Sequence, residues 1–165
     1  MEKTVSLIGM GNILMKDEGV GVHALNAFSN RYSVPDNVDV VDAGTIGLEL
    51  IPYIERRDKV LMVDCVQFEK EPGYIGVIMD ENIPARLSVK ASIHHLGLMD
   101  VLSLIKLRDT MPKTLCLIGV QPKAVELGLE MTSDILARMD DVVKLIVDKL
   151  RAWDIACIDH GTQTI

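Results

Sequence analysis

Lys3-Thr4-Val5-Ser6-Leu7-Ile8-Gly9 is a short apolar run that ends in glycine. Runs of the same kind recur at 38–42, 59–64 and 114–120. Such runs suit strands covered on both faces, as in parallel sheets. Pro72 and Gly73 introduce a further strand, 74–79, read as an antiparallel edge. Helical stretches alternate with these strands. One spans 19–32 with Val22, Leu25 and Phe28 inward, and one spans 46–57 after a Gly-Thr turn. A third spans 96–106 with Leu98, Leu102 and Ile105 inward. In the last, Ile135, Met139, Val142, Ile146 and Leu150 recur at steps of three or four, and Thr132, Ser133 or Asp134 supplies its cap. The order implies an α/β three-layer sandwich: a mostly parallel, twisted five-stranded sheet with helices on both faces. Residues 1–153 read as one domain and 154–165 as a loosely ordered tail.

Composition agrees with that reading. The chain has 165 residues, 48% of them hydrophobic, which is enough for a core without disulfides or metal staples. With 24 acidic against 17 basic side chains, the net charge of −7 argues against nucleic acid or an anionic membrane as partner. The longest uncharged runs, 4–15 and 19–30, are shorter than the ~20 residues a membrane span needs. Glu2 stands where a signal peptide is basic, so the protein reads as cytoplasmic. The three cysteines, Cys65, Cys116 and Cys157, form no CxxC pair and suit no zinc motif. Composition sets no oligomeric state.

In an open α/β sheet, sites form where strands end at their carboxyl edge. After 3–9 comes a Gly-containing loop, Gly9 to Gly21, carrying Asp17 and Glu18. It fails as a dinucleotide fingerprint because Leu14 stands where the third glycine is needed. Two acids there would also repel a pyrophosphate. At a helix start both suit the dipole, and Glu18 suits capping and metal binding equally. The second and third strands end at Asp42, followed by Ala43-Gly44-Thr45, and at Asp64. The helix over 96–106 is preceded by Ser92-Ile93-His94-His95, a turn in which one imidazole is expected to face the strand ends. Glu, Asp and His form a mixed oxygen/nitrogen set suited to zinc, nickel or manganese. Three protein ligands leave positions open for water or substrate.

These segments, taken in order, resemble the nickel–iron hydrogenase maturation endopeptidases, which process the C-terminus of the hydrogenase large subunit. The matching motifs are Gly9-Met10-Gly11-Asn12 with Asp17-Glu18-Gly19-Val20-Gly21, then Asp42-Ala43-Gly44-Thr45, Val63-Asp64 and His94-His95-Leu96-Gly97-Leu98. Gly119-Val120-Gln121-Pro122 and Leu127-Gly128-Leu129 also match, so the likeness runs from residue 3 to about 150. The resemblance implies an endopeptidase that removes a C-terminal extension from the hydrogenase large-subunit precursor after nickel insertion. It implies Glu18, Asp64 and His94 as the residues that contact metal, with nickel supplied by the precursor and not tightly bound. It implies Asp42, Glu18 and Asp64 as the catalytic carboxylates. Ala43 stands where glycine is common in the family, and His95 offers a competing imidazole.

Other classes are weaker. A receiver-like phosphoacceptor would use Asp17, Glu18, Asp64 and Lys123, but the loop 9–16 separates its acid pair from the first strand. A self-contained metallopeptidase usually shows a pair such as HExxH, and this sequence has none. A non-catalytic precursor-binding module is the third. No Ser/His/Asp or Cys/His arrangement favours covalent catalysis.

Overall fold

The computed structural model describes residues 4–88 and 92–161. Lys3, assigned above to the first strand, and tail residues 162–165 lie outside the described residues. In chain order the elements are β1 (Val5–Met10), α1 (Val20–Arg31), β2 (Tyr32–Ser33), β3 (Val38–Gly44), α2 (Ile51–Ile54), β4 (Lys59–Cys65) and β5 (Ile75–Met79). They continue as α3 (Asn82–Leu87), α4 (Ile93–Leu107), β6 (Thr114–Val120), α5 (Ser133–Leu136), α6 (Met139–Ala152) and β7 (Ile158–Asp159). The main sheet has the order β3-β1-β4-β6-β5, with β5 antiparallel to β6 at one edge and the other pairs parallel.

Alternation along each strand sorts the core into two layers. Val5 and Leu7 of β1, with Leu61 and Val63 of β4, pack beside Leu25 and Phe28 of α1 and Ile146 of α6. Ile8 and Met10, with Val60 and Met62, pack on the other face beside Ile54, Leu98 and Ile105. Both faces are covered, so the strands read as continuous apolar runs. Each fully buried side chain of this kind contributes roughly 1.5–3 kcal/mol.

Two glycines set the approach of α1 to the sheet. A Cβ on Gly21 would lie 2.1 Å from the Val63 carbonyl oxygen and 2.3 Å from that of Met10. Gly11 has φ +127°, and a Cβ there would lie 1.9 Å from the Glu18 carbonyl oxygen. Only glycine permits these approaches, which bring residues 16–19 across the carboxyl ends of β1 and β4.

Several boundaries differ from the sequence reading. The helix expected over 46–57 is a 3₁₀ turn, Leu48–Leu50, followed by the short α2. Pro52 lacks an amide hydrogen, so it fits only in the first turn of a helix and α2 starts at Ile51 and not at 46, while Arg56 at φ 58° follows its end. The helix expected from 135 to 150 is two helices, α5 and α6. The helix expected at 96 starts at Ile93, which draws both histidines into its first turn.

The tail is a correction. Residues 154–161 are held, because Tyr32 and Ser33 pair antiparallel with Asp159 and Ile158. Arg31 grips Asp159 with Nη2 at 2.9 Å and Nε at 3.2 Å, while Ile155 and Cys157 are buried against the α1–α6 layer. Arg31 and Asp159 lie 128 residues apart in sequence, beyond the reach of a local pattern. Among the described residues no helix is long and apolar enough to cross a membrane.

Candidate functional site

Asp64 is the penultimate residue of β4 and fully buried. Alternation turns Val63 toward α1 and Asp64 toward α4. Its Oδ1 accepts the Cys65 amide hydrogen at 2.7 Å. The first turn of α4 delivers two imidazoles to the same carboxylate. His94 Nε2 lies 3.1 Å from both carboxylate oxygens, and His95 Nε2 lies 2.9 Å from Oδ2. The expectation that only one of the pair would face the strand ends is therefore corrected. Ser92 is extended ahead of the helix, so the second and third helical positions both overhang the end of β4.

Local bonds set the protonation. The Ser92 amide can only donate, and it points at His95 Nδ1 from 3.4 Å. His95 Nδ1 is then the acceptor, and its Nε2 carries the hydrogen given to Asp64. His94 Nδ1 stands 2.7 Å from Ser92 Oγ and 3.4 Å from Glu18 Oε1. Burial works against the His94 imidazolium, but the bond and charge of Asp64, with the charge of Glu18, hold its pKa above the ordinary value. Burial likewise opposes the Asp64 carboxylate, and the two imidazoles outweigh it to hold that pKa low.

Glu18, Asp64 and His94, singled out in the sequence, thus come together. Asp64, His94 and His95 offer ligand atoms that all lie within 4.8 Å of one another, and all three residues are buried. A divalent cation at this point would replace imidazole protons that now face the carboxylate. Asp42 does not join them. It is exposed on β3, where Gly9 of the intervening β1 registers with Asp42 on one side and Val63 on the other. Two strand spacings, ~10 Å, separate those backbone positions. Asp42 lines a shallow pocket of about 280 Å³ with Asn12, Leu14, Val22 and Thr45.

Asp17 has a role that the sequence did not reveal. It is fully buried and caps no helix. Its Oδ2 accepts the amide hydrogens of Lys123 and Ala124, both at 2.9 Å, and its Oδ1 accepts that of Thr132 at 2.7 Å. The Thr132 hydroxyl adds a bond at 2.9 Å. Thr132, expected to cap the last helix, is spent on this clamp between the first loop and the segment after β6. Lys123, which a phosphoacceptor would need beside Asp64, pairs with Asp134 at 2.6 Å. The Cys65 thiol is held well above its ordinary pKa by burial, then by the charges of Asp64, Glu18 and Asp17, so it is no thiolate nucleophile.

The profile of the HycI family, hydrogenase maturation protease, matches residues 22–149. This chain belongs to the hydrogenase maturation protease family. The Hydrogenase 2 maturation protease of Escherichia coli K12 is 35% identical over 155 residues, spanning 93% of this chain and 94% of that one. The hydrogenase expression/formation protein HupD of Bradyrhizobium diazoefficiens is 35% identical over 156 residues, spanning 93% and 81%. Among solved structures, the hydrogenase maturating endopeptidase HybD from E. coli superposes with a TM-score of 0.91 at 34% identity, covering 94% of this chain and 97% of that chain. The fold, with its antiparallel edge, is that of the hydrogenase maturation endopeptidases, and the chain is a protease by membership.

Proposed function

We propose that this protease removes the C-terminal extension of the nickel–iron hydrogenase large-subunit precursor after nickel insertion, in the cytoplasm, and that it reads nickel carried by the precursor. The observation that carries this reading is the buried Asp64–His94 pair with Glu18 behind it, at the carboxyl edge of the sheet of a hydrogenase maturation protease. Glu18, Asp64 and His94 engage the nickel of the seated precursor and fix the neighbouring peptide against the sheet edge. Asp42 positions or activates water. The water oxygen bonds to the scissile carbonyl carbon, and a carboxylate takes the water's proton. It passes that proton to the amide nitrogen as the carbon–nitrogen bond breaks, releasing an amine and a new C-terminal carboxylate. An extended peptide covers the ~10 Å between the Asp64 and Asp42 strands in about three residues, so metal recognition and bond cleavage fit one short segment.

Cleavage of nickel-loaded and nickel-free precursor, read side by side by intact mass, tests the reading. Loss of a C-terminal peptide from the loaded form alone is the expected result. Equal cleavage of both forms removes nickel recognition. Cleavage of neither, with the cognate precursor, leaves a precursor-binding module in place of a protease.

A further inference from the structure

Exposed apolar side chains sit on the loop that lines the shallow pocket with Asp42 and on the loops joined to it. Leu14 is 54% exposed, Leu48 60%, Leu127 82% and Leu129 69%, and Ile13 is exposed beside them. The loops that carry them are joined by backbone bonds. Gly128 donates to the Leu14 carbonyl at 2.9 Å and accepts from Lys16 at 2.9 Å, while Gly11 donates to the Gly44 carbonyl at 2.8 Å. Ile13 and Leu14 share the pocket with Asp42 and Thr45. Gly47, next to Leu48, rests on the second turn of α4, where a Cβ on Gly97 would lie 3.6 Å from its Cα. The face therefore runs continuously from residues 125–129 across 12–15 to 45–48, bordering Glu18 and His94.

Exposed leucines gathered in this way mark an interaction surface. The charge around them selects the partner. The segments 11–15, 42–49 and 124–130 contain Asp42, Glu49, Glu126 and Glu130 and no lysine or arginine. Lys16 pairs with Glu126 and Lys123 with Asp134, so the acidity of the face rests on Asp42, Glu49 and Glu130. An acidic, apolar face complements an apolar segment that carries basic side chains.

We infer that these three loops form the docking face for the precursor, and that the segment seated there is apolar and carries lysine or arginine. This inference rests on the proposed reading of the active site, and it adds a binding surface outside the metal-contacting residues. Leu127 and Leu129 supply apolar contact from the loop bonded to residues 14–16, and Leu48 from the loop that follows Thr45. The carboxylates among them favour a basic segment and repel an acidic one.

The test compares the wild-type chain with a Leu14→Ser, Leu127→Ser, Leu129→Ser variant on nickel-loaded precursor. Leu107→Ser serves as control, because Leu107 is 85% exposed at the opposite end of α4. The triple variant is expected to raise KM by about tenfold or more while kcat at saturation and thermal stability stay near wild type. The control is expected to match wild type, and the wild-type KM is expected to rise with ionic strength. Equal KM for wild type and triple variant overturns the docking face while leaving the protease reading intact. A salt-independent KM overturns the basic partner. A wild-type dimer dissociated by the same three substitutions assigns the face to a second copy and overturns the proposal. Failure of the wild type to bind or cleave the precursor overturns the active-site reading and the docking face with it.

Discussion

His95 Nε2 lies 2.9 Å from Asp64 Oδ2, while its Nδ1 receives the Ser92 amide hydrogen. One side chain thus ties the start of α4 to the end of β4 and presents a fixed donor to the carboxylate. Its role is to orient Asp64, in the manner of groups that hold a ligand from behind. His95→Gln keeps a nitrogen donor at a similar reach, and His95→Ala removes it. Cleavage of the nickel-loaded precursor is expected to fall about 10–100-fold in the alanine variant and to be largely restored in the glutamine variant. Equal losses in both would assign His95 to packing alone.

Glu18 and Asp64 approach His94 from its two nitrogens. If all three engage the precursor's nickel, Glu18→Gln, Asp64→Asn and His94→Ala each lose cleavage by about 10²-fold or more. Asp42→Asn, outside the cluster, is expected to slow cleavage without weakening retention of nickel-loaded precursor in a pull-down. Undiminished cleavage by the three cluster variants would sink the ligand assignment.

The clamp at Asp17 predicts a loss of stability. Asp17→Ala strands the amide hydrogens of Lys123, Ala124 and Thr132, and one buried donor without a partner costs roughly 1–3 kcal/mol. Part of that cost is recovered if the loop shifts to admit water. A drop of about 3 kcal/mol in urea unfolding is the expected outcome. Asp17→Asn keeps an acceptor oxygen and is expected to lose less. A change below about 0.5 kcal/mol in the alanine variant would show that the loop re-forms its bonds elsewhere.

The layers of the fold were legible because burial on both faces leaves an unmistakable record in strands such as Lys59–Cys65. That acids and a histidine gather at one sheet edge was legible because Asp64 ends a strand and Glu18 and the histidine pair open helices there, and Glu18 and Asp64 do flank His94. The choice of His94 over His95 came from the family resemblance, and Asp42, read by the same placement, stands apart on β3. What escaped was decided by distant partners. Asp17 reads as a helix-start acid until its bonds to Thr132, 115 residues away, are seen. His95 reads as a rival of His94 for one position until the helix begins at Ile93 and turns both imidazoles to Asp64. The tail carries no periodicity, and its pairing with β2, its bond to Arg31 and the buried Ile155 and Cys157 give it a place.

Two exposed ion pairs contribute to the acid response of the fold. Asp58 is lowered from 3.8 to about 2, first by its bond from Lys113 and then by the Thr4 amide. Asp159 is lowered from 3.8 to about 2, first by its bond from Arg31 and then by the Gly161 amide. A carboxylate with a depressed folded-state pKa contributes stability that is present above its unfolded value and is lost as pH falls through the folded value. Both contributions therefore fade between about pH 4 and pH 2. Both groups are solvent-exposed, so the effect is small and weakened by salt. Asp58→Asn with Asp159→Asn is expected to flatten the fall of the urea midpoint over that window while changing little between pH 6 and 8. An unchanged slope in the double variant would place the acid sensitivity elsewhere, with the buried Asp64 next in line because its imidazole partners also hold it low.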